Sequence, residues 1–124
     1  MFEISVQDHF DAAHFLKEYQ GKCAKIHGHT WQVEIKIQGE DLDKTGMVVD
    51  FSVVKNELKK VLDPLDHVLI NELTAFHETN PTAENISCYI FQEMSKALSN
   101  YPVWVSRVTV WESPGAAAAY FEKE

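Results

Sequence analysis

The sequence lacks long apolar runs and any excess of basic residues. Its 124 residues contain no stretch near the roughly 20 apolar residues of a membrane span. Eleven Lys and Arg stand against 19 Asp and Glu, and the formal net charge of −8 disfavours nucleic acids and anionic membranes as partners. The first residues lack the basic and apolar segments of a signal peptide. We therefore expect a cytoplasmic protein, and the charge does not exclude a phosphorylated substrate.

Cysteine is also scarce. Cys23 and Cys88 could pair in principle, but in a cytoplasmic chain two reduced thiols are the better expectation. Cys88 falls in a helical pattern, which favours a buried structural thiol. The length predicts one domain over residues 1–124, and a hydrophobic content of 45% is typical of a globular protein. Repeats and low-complexity linkers are absent from the sequence.

Three histidines and a thiol form the most informative pattern. His27 and His29 are separated only by a glycine, and on an extended chain their side chains lie on the same face. His14 lies upstream in an apolar setting, and Cys23 just precedes the pair. Three imidazoles and one open position are typical of a catalytic zinc site, with the thiol as a candidate nucleophile or base. The alternative is two surface histidines in a turn, unrelated to His14.

The order of periodic segments predicts an α+β fold. Alternation of apolar and polar residues predicts strands, and apolar residues at helical spacing predict helices. Because the helices are inserted between two hairpins, we expect the hairpins to form an antiparallel sheet and the helices to pack on one of its faces. Its open edges would favour assembly. In chain order we predict strands at 2–14 and 29–38, a helix with Asp50 or Ser52 as N-cap that ends at Pro64, a helix with Thr82 as N-cap, and strands at 103–112 and 116–121.

Two further polar features have alternative interpretations. Asp66 and His67 are adjacent between the helices, and an acid can prepare a histidine for proton transfer. Adjacent residues rarely touch, so a turn acid and a loop histidine are equally compatible with the sequence. Glu112 ends an apolar strand, where it could bind the paired N–H donors of a pterin or guanine, or simply face solvent. His9 and His77 have no partner pattern and are expected at the surface.

With these segments in order, the chain resembles the 6-pyruvoyltetrahydropterin synthase family. It is most similar to the bacterial 6-carboxy-tetrahydropterin synthase branch of queuosine biosynthesis. The cysteine followed by HGH, together with the upstream AAH, is the most specific part of the resemblance. The matching segments are FDAAH at 10–14, CAKIHGH at 23–29, TGMVVDF at 45–51, LDH at 65–67, NPTAEN at 80–85 and WES at 111–113.

The resemblance implies a tunnelling fold (T-fold), in which ββααββ subunits join their sheet edges into a barrel of three. Two such rings would stack into a homohexamer. Zinc would be the cofactor, held by His14, His27 and His29.

The resemblance also implies the other site residues. Cys23 would be the catalytic thiol, and Asp66 with His67 a proton relay delivered from a neighbouring subunit. Glu112 would anchor the pterin, with Thr82 and the Ala83 backbone lining its pocket.

The implied substrate is 7,8-dihydroneopterin triphosphate. The carboxy branch cuts the side chain and releases acetaldehyde with triphosphate, whereas the pyruvoyl branch eliminates triphosphate and keeps the side chain whole. The short chain favours the carboxy branch. Cys23 departs from family members that carry a glutamate before HGH. A zinc- or pterin-binding protein without turnover is the alternative from another class, and the catalytic set argues against it.

Overall fold

A computed structural model describes residues 1–18, 21 and 24–123 of the chain. Its centre is a four-stranded antiparallel sheet in the order β1-β2-β3-β4, with two α-helices inserted between the second and third strands. The elements are β1 (Phe2–His14), β2 (His27–Gly39), α1 (Phe51–Leu62), α2 (Ala83–Ala97), β3 (Trp104–Ser113) and β4 (Ala116–Tyr120). The α+β prediction is confirmed, and β2 begins two residues earlier than predicted.

The first two strands form a long hairpin with opposite faces of different character. They pair without interruption from Phe2 opposite Gly39 to His14 opposite His27. Alternation along β2 buries the side chains that share the face of the two histidines: Trp31, Val33, Ile35 and Ile37. The other face of the hairpin carries polar side chains, which pair across the strands as Gln7 with Glu34 and Asp11 with Thr30.

Both helices cover the apolar face of the sheet, α1 against β1 and α2 against β3 and β4. Asp50, rather than Ser52, caps α1 by accepting a hydrogen bond from the Ser52 N–H. Thr82 caps α2 through the Asn85 N–H, as predicted. The helix faces that pack on the sheet are largely those expected from the spacing, and their buried members are Val54, Leu58, Leu62, Ile86, Ile90, Met94 and Leu98.

Two details of the predicted core are wrong. Phe51, which the helical spacing of apolar residues predicts to be buried on α1, is 53% exposed at the first position of the helix. Cys88 has a free thiol but is only half-buried, since it lies at the side of α2 rather than on its fully buried stripe. Among the described residues, neither helix is long and apolar enough to cross a membrane.

The connection between the helices runs along the outer edge of β1. It contains three short 3₁₀ turns, at Asp63–Leu65, Ile70–Glu72 and Thr74–Phe76. Residues 66–69 continue the sheet locally, because the Ala13 N–H donates to the Val68 carbonyl and Ala13 forms a parallel bridge with Leu69. This contact brings Asp66 and His67 to one end of β1.

Candidate metal centre and acid–imidazole pair

The hairpin brings the three predicted histidines together at one end of the sheet. His14 ends β1 opposite His27, and His29 lies two residues further along β2 on the same face. The Nε2 atoms of His14 and His27 are 2.9 Å apart, and the His29 ring centre lies 5.1 Å from that of His14. The shared face that was inferred from the HGH spacing is therefore confirmed.

Backbone carbonyls fix the orientation of two of these rings. The Nδ1–H of His14 donates to the Pro81 carbonyl at 2.7 Å, and that of His27 donates to the Lys25 carbonyl at 2.7 Å. A carbonyl can only accept, so in the neutral rings both protons lie on Nδ1. The two Nε2 lone pairs then face each other. This is the arrangement in which protein histidines bind a metal ion, with the second ring nitrogen held by an outer partner.

Trp31 packs against two rings of the histidine cluster, a role that the sequence did not predict. Its ring packs edge-on against His14 and His29, with centroid distances of 4.9 and 5.2 Å. The indole N–H donates to the Ala12 carbonyl at 3.2 Å, which leaves the fully buried side chain satisfied. Its position two residues after His29 on the same face of β2 is the signal that could have identified it.

Glu112 lies against the cluster rather than in open solvent. Its Oε1 is 3.4 Å from His29 Nε2, and its side chain is 35% exposed. The solvent alternative for this residue is therefore wrong. The ligand atoms of all four residues, His14, His27, His29 and Glu112, lie within 4.8 Å of one another. Glu112 is thus a fourth possible ligand, which the sequence analysis did not consider.

Burial lowers the pKa of two histidines in the cluster and so favours cation binding. Desolvation is the main cause that lowers the pKa of His14, and the Pro81 carbonyl partly opposes it. Desolvation likewise lowers the pKa of His29, while the nearby Glu112 carboxylate acts in the opposite direction. Lowered pKa values mean that both rings are neutral near pH 7. Metal ligation requires neutral imidazole, so burial favours the binding-competent form.

The donor set fits a divalent transition metal. His29 Nε2 is buried without a hydrogen-bond partner among the described residues, and it points at the same space as the other two Nε2 atoms. An orphaned buried nitrogen carries an energetic cost that a metal ion would remove. Three imidazoles with an accessible carboxylate suit zinc and leave room for substrate at the ion.

The NPTAEN segment adjoins the cluster through Pro81. The Pro81 carbonyl that holds His14 immediately precedes Thr82, which is half-buried, and Ala83, which is buried. Asn80 closes the same segment, since its carbonyl accepts from the Asn85 side-chain amide at 2.9 Å. The predicted pterin-lining residues therefore lie next to the metal cluster.

Asp66 and His67 form a direct ion pair, contrary to the expectation that adjacent residues rarely touch. His67 Nδ1 lies 2.9 Å from Asp66 Oδ2. The contact is possible because His67 adopts a φ of 57°, in the left-handed region, which turns its ring back onto the preceding side chain. The Asp66 hydrogen bond and charge raise the pKa of His67. The Asp11 N–H and the His67 ring lower the pKa of Asp66.

The ion pair and the histidine cluster are separate groups. Asp66 and His67 associate with Asp11, which alternation places on the polar face of β1, whereas His14 lies on the apolar face. His67 is highly exposed, with 77% of its side chain accessible. Cys23, the predicted catalytic thiol, lies outside the described residues. His9 and His77 are exposed, as expected.

Comparisons with known proteins agree with this architecture. The family model described as 6-pyruvoyl tetrahydropterin synthase matches residues 3–123. The chain is 35% identical to 6-carboxy-5,6,7,8-tetrahydropterin synthase of Haemophilus influenzae, covering 98% of this chain and 100% of the relative. It is also 35% identical to the Bacillus subtilis enzyme of the same name, over 99% of this chain and 87% of the relative.

A solved structure extends the similarity to the fold. The 6-pyruvoyl tetrahydropterin synthase of Caenorhabditis elegans superposes with a TM-score of 0.89 at 30% identity, covering 98% of this chain and 96% of that one. The predicted T-fold subunit is therefore confirmed. Since the similar proteins include both carboxy- and pyruvoyl-named synthases, membership of the family does not by itself determine the product. The chain belongs to the 6-pyruvoyl tetrahydropterin synthase family.

Proposed function

We propose that this protein converts 7,8-dihydroneopterin triphosphate and one water molecule to 6-carboxy-5,6,7,8-tetrahydropterin, with release of acetaldehyde and triphosphate. The observation that carries the proposal is the convergence of three imidazoles beside a carboxylate and the NPTAEN segment in a chain of this family. The lyase reaction is favoured over the pyruvoyl-forming one because curated relatives at 35% identity carry the carboxy name.

His14, His27 and His29 would hold the zinc ion. Bound there, zinc would supply Lewis-acid polarisation of the substrate's side-chain hydroxyls. Trp31 and the Pro81 and Lys25 carbonyls orient the rings, so the ligands need little rearrangement to bind. An Ala substitution at His29 should abolish stoichiometric zinc in the purified protein, whereas His77→Ala, at an exposed histidine, should leave it unchanged.

Proton transfer is assigned to Cys23 and His67. The Asp66 carboxylate raises the pKa of His67, so this imidazole holds a proton further into the neutral range and can donate it. Cys23, which matches the family thiol, would accept or return the proton on the substrate side chain. In this proposal Asp66 keeps the His67 ring oriented and compensates its charge.

Pterin recognition is assigned to Glu112, Thr82 and the Ala83 backbone. A carboxylate can accept two parallel N–H donors, and the pterin 2-amino group with N3 presents such a pair. Glu112 is accessible enough for this contact at the border of the metal cluster. Its proximity to His29 would place the ring close to the ion, with the substrate side chain directed towards it.

The active assembly is proposed to be a hexamer of two trimers. Within one subunit, Asp66 and His67 lie on the side of β1 that faces away from the histidine cluster. Joining sheet edges would allow the ion pair of one subunit to complete the metal site of its neighbour. This arrangement would also cover the edge of β4 and the part of the β1 edge that residues 66–69 leave open.

The test is incubation of the zinc-loaded protein with 7,8-dihydroneopterin triphosphate under anaerobic conditions. Acetaldehyde with a carboxylated tetrahydropterin, identified by mass, is the expected result. Triphosphate release without acetaldehyde would assign the pyruvoyl-forming reaction instead. No substrate consumption with zinc bound would refute both enzymatic assignments and favour a binding protein.

Substitution of Cys23 distinguishes the proposed enzyme from the alternative, a binding protein without turnover. Cys23→Ala should lower turnover by at least about a hundredfold, the typical contribution of a proton-transferring group, while zinc content stays at the native level. Cys88→Ala, which removes the half-buried thiol of α2, is the matched control and should retain activity. Equal activity in the two variants would exclude Cys23 from the reaction.

A further inference from the structure

Asp11 contacts the Asp66–His67 ion pair, and the proposed function has given it no role. Its N–H donates to Asp66 Oδ1 at 2.9 Å, which occupies one carboxylate oxygen and leaves Oδ2 for His67. Its carbonyl accepts a hydrogen bond from the His67 N–H. The backbone of one residue of β1 therefore holds both members of the pair, including the His67 backbone in its left-handed conformation.

The Asp11 side chain adds a second negative charge at the same place. Its carboxylate lies within 4.8 Å of the ligand atoms of Asp66 and His67. The Thr30 hydroxyl donates to its Oδ1 from the opposite position on β2, which fixes the carboxylate on the polar face. An exposed imidazolium thus has two carboxylates close by, one in direct contact and one held by the neighbouring strand.

We propose that Asp11 is a positioning residue for the Asp66–His67 pair, and that its carboxylate, held by Thr30, helps to keep the His67 imidazolium charged and in place. This inference rests on the proposed function for its catalytic meaning, but its geometric basis does not depend on the substrate. The carboxylate acts through His67 and Asp66 and needs no contact with the pterin.

The charges around His67 agree with this role. Asp66 is the principal group that raises the pKa of His67, and the Asp11 charge acts in the same direction. His9, from the same face of β1, acts on the Asp66 carboxylate and lowers its pKa further. Loss of the Asp11 charge should therefore lower the His67 pKa without breaking the direct ion pair.

The experiment is the titration of His67, followed by histidine-selective NMR in the zinc-loaded protein, with His67→Asn used to assign the signal. Asp11→Asn retains an acceptor for Thr30 and removes only the charge. We expect a downward shift of the His67 midpoint that is smaller than the shift caused by Asp66→Asn. The acidic limb of the pH profile of kcat/KM should move, and kcat should fall severalfold.

Glu34→Gln is the matched control. Glu34 lies on the same polar face of the same hairpin and accepts a cross-strand hydrogen bond from Gln7 at 3.1 Å, so the substitution removes an equivalent charge about four residues along the strands. It should leave the His67 midpoint unchanged. Equal midpoints in Asp11→Asn and Glu34→Gln would overturn the proposal.

Thr30 supplies a second test if Asp11→Asn fails to fold. Thr30→Val removes the hydroxyl that holds the carboxylate and should lower the His67 midpoint, while Thr30→Ser should restore it. Native midpoints in both variants would refute the role of Thr30. Because the titration needs no substrate, a shifted midpoint in a protein inactive on dihydroneopterin triphosphate would refute the proposed function and leave the positioning role intact.

Discussion

At the scale of single residues, one or two neighbouring groups determine the direction in which the pKa of each of these histidines is shifted. Desolvation lowers the pKa of His14 and His29 and so favours their neutral form, whereas the Asp66 carboxylate raises the pKa of His67 and so favours its charged form. The chain therefore contains histidines of two kinds, those with a lowered pKa and one with a raised pKa. The neutral rings suit metal ligation and the charged ring suits proton donation.

The Asp66–His67 pair predicts a defined dependence of stability on pH. The raised His67 pKa contributes stability that is complete below the unfolded value of 6.5 and is lost as pH rises through the folded value. The lowered Asp66 pKa contributes stability above 3.8 that is lost as pH falls through its folded value. The pair should therefore stabilise the fold most between about pH 4 and 6.5.

His67→Asn tests this, because asparagine tolerates the positive φ and carries no charge. The difference in Tm between the native protein and this variant should be largest in that range and shrink at higher pH. In an Asp66→Asn background the same substitution should lose most of its pH dependence. An equal difference in Tm at all pH values in both backgrounds would contradict the assigned ion pair.

At the scale of elements, the sequence predicted what is local and missed what depends on distant pairing. The alternation along β2 identified the face of His27 and His29 correctly, because that face follows from one strand alone. The Asp66–His67 contact depends on the edge of β1, to which the connection between the helices is joined through Val68 and Leu69. Periodicity within one segment carries no information about that contact.

Glu112 illustrates the same limit. A bulge in β3 separates Val105, paired with Ile37, from Arg107, paired with Lys36. The extra residue changes which positions face the core, and Val108 and Val110 are buried after it. Glu112 keeps their parity although it lies at a second register shift, between Trp111 and Ser113, and its Oε1 lies 3.4 Å from His29 Nε2. A strand read without the bulge would place Glu112 on the opposite face.

The N-caps of the two helices differ in their proposed roles: Asp50 only caps a helix, whereas Thr82 is also proposed to line the pterin pocket. Asp50→Ala and Thr82→Ala each remove a side-chain acceptor at a helix start and should each lower the free energy of unfolding by about 1 kcal/mol. Only Thr82 adjoins the Pro81 carbonyl that holds His14. Thr82→Ala should therefore also weaken pterin binding, measured by calorimetry, while Asp50→Ala should not. Equal pterin affinities would leave Thr82 as a cap only.

The end of β2 is closely packed and predicts a sensitive position. A Cβ on Gly39 would lie 2.7 Å from Val48 Cγ1 and 3.3 Å from Val103 Cγ1. Gly39→Ala should therefore lower the free energy of unfolding by about 1–3 kcal/mol, as overpacking does. Gly115→Ala, where nothing lies within 4 Å of the added Cβ, should change it by less than about 0.5 kcal/mol in the same denaturant titration.

At the scale of the whole molecule, one subunit holds two incomplete halves of the proposed site. The histidine cluster lies on the helix-covered face of the sheet, and the ion pair lies at the outer edge of β1. Edge-to-edge assembly would bring the halves of neighbouring subunits together, and a closed ring repeats the same contact at every interface. The proposed hexamer and the proposed chemistry are therefore linked.

Mixing two inactive variants tests that link. His29→Ala disrupts the metal site and His67→Asn disrupts the relay, and each should be inactive alone. If every site draws these residues from two neighbouring subunits, equal mixing by co-refolding should restore about one quarter of native activity, because both neighbours must be intact at the required position.

The control mixture combines His29→Ala with Cys23→Ala, and we propose that Cys23 acts at the histidine cluster of its own subunit. Both variants keep the ion-pair half, but neither carries a half with both the metal ligands and the thiol intact, so activity should stay at the background level. Restoration in the first mixture alone would assign His67 to the neighbouring subunit. Absence of restoration from mixed oligomers, whose formation is checked by native mass spectrometry, would mean that each subunit builds its site alone and that His67 must reach its own metal cluster by a movement of residues 66–69.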